Sequence, residues 1–69
     1  MSTLSLTLNG SARTVPAVPH AQALLEALDL DPRSVVVEIN RHIVRREALA
    51  STPVRDGDSV EVVHFVGGG

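Results

Sequence analysis

Leu4, Leu6 and Leu8 alternate with Ser5 and Thr7. That period of two predicts a strand with one buried face. Asn9-Gly10 follows, and both central residues of a type I′ turn need positive φ, which Asn and Gly tolerate best. The chain returns with Arg13 on its polar side, so residues 4 to 15 read as a β-hairpin. Pro16 and Pro19 cannot donate to a sheet ladder and end it. Ala21, Leu24, Leu25 and Leu28 then recur at helical spacing, which predicts one helix over residues 21 to 30, stopped by Asp31-Pro32. Its start is weak, because His20 stands at the N-cap in place of Ser, Thr, Asp or Asn.

The second half turns β-branched. Residues 35 to 39, Val-Val-Val-Glu-Ile, read as a strand covered on much of both sides. Asn40-Arg41 allows a tight turn into a short strand at His42-Ile43-Val44, and residues 45 to 49 fit one helical turn with Leu49 pointing inward. Thr52-Pro53 and Asp56-Gly57-Asp58 are turn chemistry. Residues 60 to 66 form the last strand, and Gly67, Gly68 and Gly69 follow. A helical crossover between hairpin and later strands suits parallel pairing of the last strand with the first. The expectation is an α+β chain of β-grasp type: a mixed sheet of four to five strands around one helix. Residues 1 to 66 would be the domain and residues 67 to 69 a free C-terminal tail.

Composition narrows the chemistry. Of 69 residues, 43% are hydrophobic, yet one is Phe and none is Trp, Tyr or Cys. No disulfide or side-chain thiol is available, so stability must come from close aliphatic packing. Against six Arg stand eight acidic residues, a net charge of -2 that argues against a nucleic-acid or anionic-membrane surface. No apolar run is long enough to span a membrane, and the first residues lack a targeting pattern, so the expected location is the cytoplasm. His20, His42 and His64 follow no metal spacing, and no bound metal or cofactor is expected. A set of nucleophile, base and acid is also missing, so an independent enzyme is not expected.

Residues 37 to 46, Val-Glu-Ile-Asn-Arg-His-Ile-Val-Arg-Arg, resemble a valine, asparagine, isoleucine-valine-proline-arginine segment of the ThiS family. These are ubiquitin-like sulfur carriers of thiazole (thiamine) biosynthesis. Residues 56 to 63 resemble that family's DGD turn and last strand, and Gly68-Gly69 its diglycine end. Arg45 departs from the family's usual Pro, and the helix start from its usual hydroxyl cap. The resemblance implies that the α-carboxylate of Gly69 is adenylated with ATP consumed by a partner enzyme, then becomes a thiocarboxylate. It implies a ThiF-like adenylyltransferase, a ThiG-like thiazole synthase and a sulfur-donor protein as partners of a carrier that is monomeric alone. Gly67 and Gly68 would be the part of the tail that enters partner channels. Three extended residues reach about 10 Å, and glycine lets backbone approach a narrow channel closely. Alternatives are a carrier resembling the small subunit of molybdopterin synthase, and a β-grasp interaction module with an inert tail.

The last strand supports one more expectation. Glu61, Val63 and Phe65 share a face, opposite Val60, Val62, His64 and Val66. An unpaired Glu61 does not belong in a core, so Val63 and Phe65 would lie on the open face as a partner-binding patch. The other reading packs them under residues 45 to 55. Arg41, Arg45 and Arg46 read as solvated charge, with a rim against an acidic partner as the second reading.

Overall fold

The structure, a computed structural model, describes residues 2 to 65. Val66, Gly67, Gly68 and Gly69 lie outside the described residues. Strands β1 (Thr3–Leu8) and β2 (Ser11–Pro16) form the N-terminal hairpin, from Thr3 opposite Pro16 to Leu8 opposite Ser11. Its turn has φ 49° at Asn9 and 83° at Gly10, both left-handed as a type I′ turn demands. Helix α1 (Ala21–Ala27) crosses to β3 (Val35–Ile39), which pairs antiparallel with β4 (His42–Val44). The last strand, β5 (Ser59–His64), runs parallel to β1 and antiparallel to β3. Among the described residues these make one five-stranded sheet in the order β2-β1-β5-β3-β4. The β-grasp expectation therefore holds, with the last strand in the centre.

The helix is three residues shorter than its periodicity predicts. Asp29 takes φ 62°, and its N–H reaches the Glu26 carbonyl at 3.0 Å while the Leu30 N–H reaches the Leu25 carbonyl at 2.8 Å. That is a Schellman ending, which glycine usually makes and an aspartate tolerates. The stop lies in Asp29, ahead of Asp31-Pro32. Asp31 instead caps a 3-10 turn, Pro32–Ser34, by accepting from the Arg33 N–H at 2.9 Å. The other end of α1 is better capped than its sequence indicates. The Nδ1 atom of His20 accepts from the Ala23 N–H at 3.1 Å, doing the work of a hydroxyl.

The core is aliphatic, as composition requires. Leu6, Leu24, Leu25, Val37, Ile39, Val60 and Val62 are buried together, and Leu4, Leu8 and Leu28 pack half-buried against them. Val15, Ala21, Val35 and Val54 join the same cluster. Leu49 points inward from a 3-10 turn, Arg46–Ser51, which packs against α1. The Ala21 N–H donates to the Thr52 carbonyl at 2.9 Å and pins that segment under the helix. β3 is buried on one face and half-buried on the other, so the cover expected on both sides is incomplete. The helix occupies one face of the sheet, and among the described residues no second layer lies on the other.

Leu25 is fully buried at the centre of this cluster. Leu25→Ala is expected to cost about 2–5 kcal/mol through lost transfer energy and the cavity left behind. Denaturant melts read by far-ultraviolet circular dichroism measure it, and a loss below about 1 kcal/mol would contradict the packing described.

Candidate functional site

The open face of the sheet is built from residues that alternate with the core. Along β5, Val60 and Val62 turn inward, which places Glu61 and Val63 outward. Phe65 follows on the same side, its N–H donating to the Ser34 carbonyl at 2.9 Å. Val63 and Phe65 are each 60% exposed, as expected from their shared face with Glu61. Residues 45 to 55 leave them exposed: Leu49 and Val54 are buried on the helix side, while Arg45, Arg46 and Glu47 border the groove beside Phe65.

The face is wider than these two residues. Val63 sits opposite Val36, and Glu38 lies between Glu61 on one side and Ile43 on the other. Ile43 is 69% exposed. Nothing in the sequence reading assigned it a role, although alternation supplied the signal: with Val44 half-buried, Ile43 must face out. A groove of about 370 Å3 runs beside this patch, walled by Val36, Ile43 and Phe65 and rimmed by Arg45 and Arg46. Arg33 also lines it and binds Asp31 through two guanidinium contacts, at 3.1 and 3.2 Å. That pairing, with the backbone bond from Arg33, holds the Asp31 carboxyl below its ordinary range. Its folded-state value is depressed, so any stability it lends is present above the ordinary carboxylate range. That stability is lost as pH falls through the lowered value.

The two glutamates matter electrically. Glu38 and Glu61 are directly opposed in the antiparallel ladder. Like charges in that position destabilise a sheet. Among the described residues neither forms an ion pair.

Other side chains register the strand that carries this patch. Asn40 and Arg41, at φ 51° and 70°, make the turn between β3 and β4. The Asn40 Oδ1 accepts from the Ser59 N–H at 3.0 Å, and its Nδ2 donates to Asp58 Oδ1 at 3.0 Å. Asp56 accepts from the Ser5 N–H at 2.7 Å, while the Gly57 N–H, at φ 88°, donates to the Ser5 carbonyl at 2.7 Å. The Asp-Gly-Asp turn thus ties the start of β5 to β1 on one side and to Asn40 on the other.

The remaining candidates are scattered. His20 caps the helix, His42 lies on β4, and His64 faces a recess of about 240 Å3 on the helix side. Among the described residues, no three His, Cys, Asp or Glu are placed to hold a metal ion. None of the described helices is long and apolar enough to cross a membrane. Gly67, Gly68 and Gly69 lie outside the described residues.

The model of the ThiS family matches residues 6–69. A thiazole synthase of Paramagnetospirillum magneticum is 42% identical over 66 residues, 96% of this chain but 20% of that protein. The chain thus spans about one fifth of that relative's length, and the same holds for a thiazole synthase of Magnetococcus marinus at 35% identity. The sulfur carrier protein ThiS of Bacillus subtilis is 42% identical over 48 residues, 70% of this chain and 73% of that one. Among solved structures, the crystal structure of the thiamine biosynthesis protein ThiS from Geobacter metallireducens superposes with a TM-score of 0.82 at 40% identity. It covers 96% of this chain and 100% of its own.

The opposed glutamates make a measurable expectation. Glu61→Arg replaces repulsion by attraction and should raise stability by about 0.2–1 kcal/mol. In a domain of this size that is up to about 4–8 °C in Tm. The gain should shrink in about 1 M salt, where the screening length is near 3 Å. A gain independent of salt would show that charge is not its cause.

Proposed function

This chain belongs to the ThiS family, and from that premise we propose that it carries sulfur for thiazole formation in thiamine biosynthesis, as a co-substrate of partner enzymes. In this reading the α-carboxylate of Gly69 attacks the α-phosphorus of ATP in a partner's site and expels pyrophosphate. A sulfide equivalent from a donor protein then displaces AMP, which leaves a thiocarboxylate. The chain contributes neither base nor metal to these steps. It contributes delivery: a rigid strand that ends near a recognisable face, followed by residues with no side chain to obstruct a channel. The absence of Cys from the sequence suits that role, because sulfur can travel only on the main-chain carboxyl.

The observation that supports this most strongly is the position of β5. The strand that leads into the three glycines is the central one, hydrogen-bonded to β1 and β3, and its outward residues form the exposed apolar patch. Recognition surface and reactive end therefore follow one another directly in the sequence. The match of the family model through residue 69 supports Gly69 as the carrier position. The partners follow from the resemblance: a ThiF-like adenylyltransferase that loads the tail and a ThiG-like synthase that unloads it. In the relatives named thiazole synthase, a segment like this chain is part of a longer polypeptide. That favours thiazole synthase over a molybdopterin-type acceptor. Val63 and Phe65, extended by Val36 and Ile43, are the patch that the adenylyltransferase would cover.

Two outcomes test the proposal. Incubated with ATP, a sulfur donor and the adenylyltransferase, the full-length chain should gain the mass difference between sulfur and oxygen in its C-terminal peptide. The chain lacking Gly69 should not, since its carboxylate is withdrawn by about 3.5 Å. Misplacement of a reacting group by even ~1 Å can cost about a hundredfold. Sulfur found elsewhere, or equal modification of both chains, would end the carrier reading. Phe65→Ala should weaken the complex with the adenylyltransferase by about fivefold or more, with Tm within about 2 °C of the parent, because the ring is largely exposed. Titration calorimetry and a thermal melt read the two effects; an unfolded variant would place Phe65 in the core.

A further inference from the structure

The turn at Asn9 does more than reverse the chain. In the parallel pairing of β1 with β5, the Thr7 N–H donates to the Asp58 carbonyl at 3.0 Å and the Asn9 N–H to the Val60 carbonyl at 2.9 Å. A regular ladder would next join Val62 to the peptide that follows Asn9. The chain cannot supply it, because Asn9 sits at φ 49° and turns away into β2. Its side chain takes that place. The Val62 N–H donates to Asn9 Oδ1 at 2.8 Å, and Asn9 Nδ2 donates to the Val62 carbonyl at 3.3 Å. A carboxamide carries the same donor and acceptor as a peptide group, so the side chain extends the ladder by one rung without a strand to carry it.

That rung has a particular place. The N–H groups of Val62 and Phe65 point to opposite sides of β5, to Asn9 and to Ser34. Beyond Val62, among the described residues, only the β3 side supplies backbone partners to this strand. Asn9 is therefore where lateral support on the β1 side stops. From Val62 to Phe65 is about 10 Å of extended chain. Turning of the β5–β3 pair as one body by roughly 10° about Val62 would move the root of the tail by about 2 Å, more than the misplacement that costs a reacting group heavily.

We propose that Asn9 is a positioning residue: its side-chain amide, bonded to both backbone atoms of Val62, sets the direction in which β5 delivers the C-terminal glycine to the adenylating site. This rests on the carrier reading above. Asn9 touches neither ATP nor the carboxylate. It acts through Val62, and the apolar patch on the other face keeps its β3 hydrogen bonds when the clamp is lost. The turnover step should therefore suffer more than docking does.

The test uses the full chain with its adenylyltransferase. Asn9→Gly keeps the left-handed turn and removes both hydrogen bonds, whereas Asn9→Asp keeps the acceptor and sets a second oxygen against the Val62 carbonyl. Val54→Ala, a core truncation outside β5 that leaves the Asn9–Val62 bonds in place, controls for a general loss of stability. Amide exchange at Val62 should quicken at least tenfold in Asn9→Gly and not in Val54→Ala, with Asn9→Asp, which keeps the acceptor, between the parent and Asn9→Gly. The kcat for thiocarboxylate formation should fall at least tenfold in the Asn9 variants, with KM within about threefold of the parent, while Val54→Ala keeps its kcat. Unchanged exchange at Val62 would show there is no clamp. Quickened exchange with parental kcat, or a kcat loss that Val54→Ala shares, would show Asn9 to be structural only. Unfolding of both Asn9 variants would equally overturn the proposal. If the parent chain itself gains no sulfur, the carrier reading fails first, and the positioning role with it.

Discussion

A last strand that must enter the middle of a sheet is the constraint on which this molecule depends. β5 lies between β1 and β3, parallel to one and antiparallel to the other. Its partner in β1 lies more than fifty residues earlier in the chain, so the pairing closes a loop that contains nearly the whole domain, an entropic cost that rises with loop length. Side chains from three turns share the work of holding it: Asn9, Asn40 and the Asp56-Gly57-Asp58 turn. With no aromatic mass in the core and no cross-link, that polar bracketing of one strand complements the aliphatic cluster beneath it.

The same arrangement explains the division between the two faces. α1 and the segment around Leu49 supply one apolar layer, and among the described residues no second one covers the other face. The uncovered face carries Val36 and Glu38 half-buried and leaves Ile43, Glu61 and Val63 exposed, with Phe65 beside the groove. An opposed pair of carboxylates is a poor choice for stability alone, so this face is not optimised for a free monomer. In the carrier reading it is a surface spent on partners.

Much of this was legible in the sequence. The Leu4-Leu6-Leu8 alternation and Asn-Gly located the hairpin to within a residue or two. The outward face of Val63 and Phe65 followed from Glu61 alone, because period two leaves no other choice. What was not legible depended on geometry between distant residues. Asp29 ends the helix in a conformation that its type tolerates and does not announce. His20 proved a working cap because its ring nitrogen reaches Ala23, an interaction that cap preferences rank low. The amide of Asn9 was visible only as turn chemistry, since its bond to Val62 exists once β1 and β5 are already side by side. The glycines are the opposite case: their chemistry is read from sequence and family, and the described residues bring the chain to Phe65.

The single benzene ring of this chain is Phe65, and it sits at the surface beside the groove. A protein without tryptophan or tyrosine absorbs almost nothing at about 295 nm, so emission excited there from any complex it enters belongs wholly to the other party. Quenching or a blue shift of a partner's tryptophan on mixing would report contact from the partner's side alone. Within this chain, phenyl ring-current shifts of methyl protons map only the neighbours of Phe65, beside the wall formed by Val36 and Ile43. The core is aliphatic and adds no phenyl shift of its own, so the surface ring is a built-in, uncluttered magnetic marker of engagement.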